Sequence, residues 1–249
     1  MKKKLLLYCL LVVWVFIAPP ALWAETVLEQ ADALYDQGGL DNIKKSIDLY
    51  LAAVEKNPGD YETNWKCARA HRDFGNQAKR KKIEGWKEIC AEYGKKGMSY
   101  AKTAIDIAPN KPDAHYYYGI SVGIYSDGVS ILTALREGLK DKTQSSFEKA
   151  YQLDKMYNEA GPILSLGRFW AVLPWPLKDK KDSLKYYREY QQTEFFTDSD
   201  EAHIYIAELL LDIGGRDNKA EAKKLLEKAA GAEDPYFYDW AKRLLKEEF

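Results

Sequence analysis

The 249 residues carry 37 basic and 38 acidic side chains, a net charge of −1, and 46% of them are apolar. That is the make-up of a globular chain long enough for one large core, and it excludes a disordered chain. So even a charge balance gives no footing for nucleic acid as a partner, and the run Lys79-Arg80-Lys81-Lys82 reads as a solvated helix face.

Residues 1–24 read as a secretory signal peptide. Lys2, Lys3 and Lys4 precede an apolar run of 14 residues, Leu5 to Ala18, which Pro19 and Pro20 break before Ala24. The run is short of the ~20 residues a spanning helix needs. The expectation is cleavage after Ala24, leaving residues 25–249 as one periplasmic or secreted domain with net charge −4. Uncleaved, the segment would be an anchor and the chain's membrane contact. Cys9 does not read as a lipidation site, because Tyr8 precedes it and the apolar run follows it. Cys67 and Cys90 are either a disulfide or two buried thiols, and spacing alone does not decide between them.

From there the chain repeats. The first unit holds Ala31, ending "VLEQA", and Ala53, five residues before Pro58. The second holds Ala68, ending "NWKCA", and Ala104, five before Pro109. Gly119 and Ala150 follow in the third unit, Gly167 and Tyr190 in the fourth, Ala207 and Ala229 in the fifth. Ala68, Gly119, Gly167 and Ala207 each follow a bulky face, so they predict a seam where paired helices approach closely. Strand signals are nearly absent and apolar residues recur at helical spacing, as in Ile206, Leu210 and Ile213. The fold class is therefore all-α, a tetratricopeptide-like solenoid of about five helical hairpins. The two anchors of a unit stand 22, 36, 31, 23 and 22 residues apart, so units two and three are elongated. Residues 76–96 and 124–142 are expected to be insertions that form the binding face.

Little in the chain suggests chemistry. Gly119 to Gly123 spells the Gly-x-Ser-x-Gly of a hydrolase nucleophile, but that motif needs a strand before Ser121 and here a helix precedes it. His115 and His203 share one repeat position, four before the small anchor, which implies shared packing rather than one metal site. There is no His-Glu-x-x-His or Cys-x-x-Cys and no evident catalytic acid pair. The expectation is no enzyme, no metal and no cofactor.

The stretch Gly167 to Tyr190 is rich in aromatic and basic residues. Phe169 and Trp170 continue a helix that Pro174 and Pro176 stop, and Asp179 caps the next, whose inner stripe is Leu184, Tyr187 and Tyr190. Trp175, held between two prolines, is either a partner contact or a lid on its own hairpin. Trp170 and Trp175 are the candidate binding residues, with Lys178, Lys180 and Lys181 to steer an acidic protein partner.

"AIDIAPNKPDAHYYYG", "AGPILSLGRFWAVLPWPLKDKKDSLKYYREY" and "EAHIYIAELLLDIGG" together resemble the T-component proteins of tripartite ATP-independent periplasmic (TRAP) transporters. The resemblance implies a periplasmic adaptor that partners a substrate-binding protein and offers a groove to an apolar ligand. The alternative is a general tetratricopeptide scaffold of an envelope complex, without a small ligand.

Overall fold

The computed structural model describes residues 26–249, so the leader, the anchor reading and Cys9 lie outside the described residues. Among the described residues the chain is helical throughout, with no strand. The helices are α1 (Val27–Gln37), α2 (Leu40–Lys56), α3 (Tyr61–Arg80), α4 (Trp86–Ile107), α5 (Pro112–Val129), α6 (Ile131–Arg136), α7 (Leu139–Asp154), α8 (Tyr157–Val172), α9 (Lys180–Tyr190), α10 (Asp200–Ile213), α11 (Arg216–Ala229) and α12 (Pro235–Glu248). They pair as α1/α2, α3/α4, α5/α7, α8/α9 and α10/α11, which gives the five hairpins of the expected tetratricopeptide-like solenoid, with α12 added at the end.

Local chemistry sets the helix starts. Thr26 and Glu29 form a reciprocal capping box on α1, the Thr26 amide donating to Glu29 Oε2 at 2.7 Å. Asp60 accepts from the Thr63 amide at 2.7 Å, Asp179 from the amides of Lys181 and Asp182 at 2.9 Å, and Asp234 from Tyr236 at 2.9 Å. The slot four residues before the small anchor also has a structural task. Asn64 Nδ2 and His115 Nε2 donate to the carbonyls of Pro58 and Pro109, six residues back, at 3.0 and 2.9 Å, and so fasten the turn between units. His203 departs from this and packs edge-on against Phe196, ring centroids 4.9 Å apart.

The small residues of the expected seam are closely packed. An added Cβ at Gly119 would lie 2.3 Å from Phe147 of α7, and one at Gly167 would lie 2.3 Å from Tyr187 of α9. Ala68 and Ala207 are fully buried. At Gly119 and Gly167 the small residue lets the second helix of its unit lay a ring directly on the first.

Units two and three are elongated as expected, but in unit two not by a loop. Residues 76–96 are not an inserted loop: α3 and α4 run 20 and 22 residues, joined only by 81–85. The surplus adds whole turns to both helices, which leaves their inner faces in register. Gly94 and Gly128 permit this, because a Cβ at either would fall within 2.5 Å of the facing backbone of α5 or α4. In unit three the surplus, 124–142, forms the end of α5, the short α6 and the start of α7.

α8 opens with a strained turn. Asn158, Glu159 and Ala160 have φ of 48°, 59° and 57°, ahead of Pro162. Three successive non-glycine residues in the left-handed region are costly.

Candidate functional site

The first helices of units two to five, α3, α5, α8 and α10, line a groove of about 610 Å³. Ile120, Leu135, Phe147, Leu164 and Phe169, from α5, α6, α7 and α8, and Leu173 just past α8 are among its apolar walls. Helix α12 closes the far side with Tyr236, Phe237 and Trp240. This closure depends on the length of α3. Arg80, in its last turn, pairs with Asp234 at the start of α12, 154 residues away in sequence. The Arg80 guanidinium carbon also lies 4.6 Å from the Phe237 ring centre and 5.6 Å from that of Tyr236.

Charged side chains are set into these walls. Arg72, Lys79, Arg80, Lys140 and Arg168 face the groove, against the carboxylates of Asp127 and Glu201. Lys79 Nζ meets Asp127 Oδ2 at 2.7 Å, across the α3/α5 side. Arg168 Nη1 donates to Glu208 Oε2 at 2.7 Å and lies over the Tyr205 ring at 4.1 Å, while Trp240 Nε1 donates to the other Glu208 oxygen at 3.0 Å. Burial pulls the Arg168 pKa down, but Tyr205 and Glu208 outweigh it and hold the group above its ordinary range. Arg72 Nη1 donates to Asp73 at 2.7 Å, whereas its Nε is buried without a hydrogen-bond partner.

The candidates picked from sequence are distributed otherwise. Trp175 is 89% exposed, so it is no lid on its hairpin. Trp170 is half-buried, packed edge-on against Phe169 with centroids 5.1 Å apart and with Lys140 Nζ 5.8 Å above it. Lys178 and Lys180 both bind the Asp212 carboxylate at 3.0 Å, so two of the three lysines expected to steer a partner are already neutralised. Lys181 is exposed on the first turn of α9. Ser121 is fully buried in mid-α5, with none of the strand-to-helix turn its motif requires. Cys67 and Cys90 are free buried thiols, pushed up to about 12 and about 11 by burial, rather than a disulfide. Among the described residues no three His, Cys, Asp or Glu side chains form a metal-binding group, and no helix is long and apolar enough to cross a membrane.

Sequence reasoning missed the groove's charged residues. A signal existed: Arg168 and Glu208 each directly follow a small seam residue, Gly167 and Ala207.

The family model for regulator of microtubule dynamics proteins 1–3 matches residues 27–171, from α1 to α8. The chain belongs to that family. A curated relative, regulator of microtubule dynamics protein 1 of Bos taurus, is 31% identical over 161 residues, which is 61% of this chain and 44% of the relative. The chain thus spans under half the length of that relative. Among solved structures, a thermophilic TPR protein of Thermus thermophilus superposes with TM-score 0.61 at 19% identity, covering 88% of this chain and 97% of that one. MamA superposes with TM-score 0.51 at 14% identity, covering 90% and 94%. At these identities the likeness shows the fold alone.

The family match overturns the resemblance to TRAP T-components, and with it the substrate-binding protein as partner. The periplasmic or secreted location falls on the same finding, since a curated member of the family is a regulator of microtubule dynamics in a mammal. The resemblance misled because its motifs combine seam residues with a proline turn. Gly167 and Arg168 serve packing, and the Leu-Pro-Trp-Pro turn begins beyond the family-matched segment.

Proposed function

We propose that this chain is a non-catalytic tetratricopeptide-like scaffold whose concave groove holds a segment of a protein partner. The observation that carries this reading is the groove itself: a volume of about 610 Å³ with apolar walls and inward-facing cations, bounded on the far side by α12. Apolar walls supply contact area and a few fixed polar groups supply orientation, the usual division of labour in a binding cleft. The groove holds no evident nucleophile and base in reach of one another. From the family description we carry over regulation by binding, with the partner drawn from a microtubule-type polymer system.

A second occupant, an apolar small ligand, is favoured by the packed wall of Phe147, Phe169 and Leu173. Site-specific photo-crosslinking in cells separates the two. A crosslinking residue at Gly123 suits the purpose, because it lines the groove and an added Cβ there meets nothing within 4 Å. Lys102, exposed on the outer helix α4, is the control. Protein adducts from position 123 and not from 102 support the scaffold. No adduct at 123, with a ligand recovered by organic extraction, overturns it in favour of the small ligand.

A further inference from the structure

One side of the groove is closed by a segment of the chain itself. The segment "EDPYFYDW", Glu233 to Trp240, starts with carboxylates and continues with rings. Its Asp234 carboxylate takes the Arg80 guanidinium, and the rings of Phe237 and Tyr236 flank the same cation at 4.6 and 5.6 Å. One turn further, Trp240 lies 5.8 Å from the Arg168 guanidinium and hydrogen-bonds its carboxylate partner Glu208. A carboxylate plus aromatic faces is the complement of an arginine presented edge and face.

The rest of the groove extends this chemistry. Arg72 and Lys140 face it without contact from α12, and their carboxylate partners, Asp73 and Asp141, stand outside the lining. The lining therefore sets five cations against two carboxylates, Asp127 beside Lys79 and Glu201, over apolar walls, which leaves the inward surface cationic on balance. Arg72 Nε, buried without a partner, is a donor that a bound acid could satisfy.

We infer that the groove selects an acidic–aromatic peptide segment, a carboxylate followed by paired rings, and that the first turn of α12 competes for the same subsite from within the chain. This rests on the reading of the groove as a protein-binding site. Such an internal occupant lowers the affinity for a partner by the fraction of time it holds the subsite.

The test uses a fluorescent peptide of residues 231–243, GAEDPYFYDWAKR, titrated against the full chain by anisotropy. Asp234→Asn removes the charge but keeps an N-cap, since Asn accepts the Tyr236 amide as well as Asp does. Adding Phe237→Ala removes a ring from Arg80. The double variant should bind the peptide about tenfold tighter than the parent chain, from one half-buried ion pair and one cation–π contact released. Arg80→Gln in that background should abolish the gain, and raised salt should weaken binding. If circular dichroism shows the double variant unfolded, Asp234→Asn alone is read for an increase of about threefold. Equal affinity in parent and variant, indifference to Arg80→Gln, or equal binding of a scrambled peptide would each overturn the inference. So would phosphatidylglycerol vesicles binding the variant in place of peptide, or the variant dimerising so that a second copy fills the groove. Crosslinking from position 123 is independent of these results: protein adducts there with no peptide preference leave the scaffold reading standing and this inference refuted.

Discussion

Two glycines on the inner helices should respond to the same substitution with opposite signs. At Gly167 an added Cβ would sit 2.3 Å from Tyr187 Cδ1 and 2.4 Å from Cε1. Carbon atoms in contact want about 3.5–4.0 Å, so one side must yield by more than about 1 Å. Tyr187 cannot swing away, because it is fully buried. The backbone is also held, since Ser183 Oγ donates to the Gly167 carbonyl at 2.7 Å and ties α9 to α8. Gly167→Ala should therefore cost about 1–3 kcal/mol of overpacking, and Gly167→Leu more. Gly123 is also inside a helix, but a Cβ there meets nothing within 4 Å. Gly123→Ala should then stabilise by about 0.5–1 kcal/mol through helix propensity alone. For a chain of this size each kcal/mol moves Tm by about 2–4 °C. Thermal melts by circular dichroism should show Gly167→Ala falling by roughly 2–12 °C and Gly123→Ala rising by roughly 1–4 °C. An unchanged melt for Gly167→Ala, or two shifts of the same sign, would refute the seam.

Further outcomes follow from other sites. His71 and His203 are buried, and burial lowers both to about 4 from an ordinary 6.5. The unfolded chain takes up protons that the fold refuses, so stability is complete above pH 6.5 and falls as pH drops toward 4, by up to about 3 kcal/mol per group. Tm measured across that window should fall, and His71→Gln/His203→Gln should flatten the slope; a flat parent curve would contradict the account. Glu159, exposed at φ 59°, should give a variant Glu159→Gly about 0.5–1 kcal/mol more stable in urea unfolding, since glycine relieves the left-handed turn. Trp175→Ala should leave Tm within about 0.5 kcal/mol equivalent of the parent, because the ring is 89% exposed; a clear drop would mean that Trp175 packs after all.

The helices were legible because their signals are local. A small residue after a bulky face, as at Gly119 and Gly167, says that another helix comes close, and the proline turns say where each pair ends. What the extra residues of unit two would do was not legible. A surplus between two anchors reads equally as a loop or as longer helices, and only the match of Gly94 and Gly128 across α4 and α5 decides it. The groove was less legible still. Arg80 was read as part of a solvated basic run, since nothing within a few residues of it announces Asp234. Trp175, the most conspicuous residue in the sequence, lies outside the groove lining. Repeat patterns record how helices pack and carry little about which family of partners the packed surface meets, so a resemblance built on seam and turn pointed to the wrong family.

The Arg80–Asp234 contact bears on how the molecule comes apart. In an open stack of repeats, each unit touches only its neighbours, and stability behaves as a one-dimensional chain of couplings that can fray from either end. A bond between the second unit and the last helix converts that chain into a closed circuit. Fraying of α12 then releases a restraint on α3, and loosening of α3 releases α12, although most of the sequence separates them. Hydrogen exchange in the last turn of α3 would be expected to track that of α12 rather than that of its own hairpin partner. The two ends of the protein would report one opening event, the same event that admits a ligand to the groove.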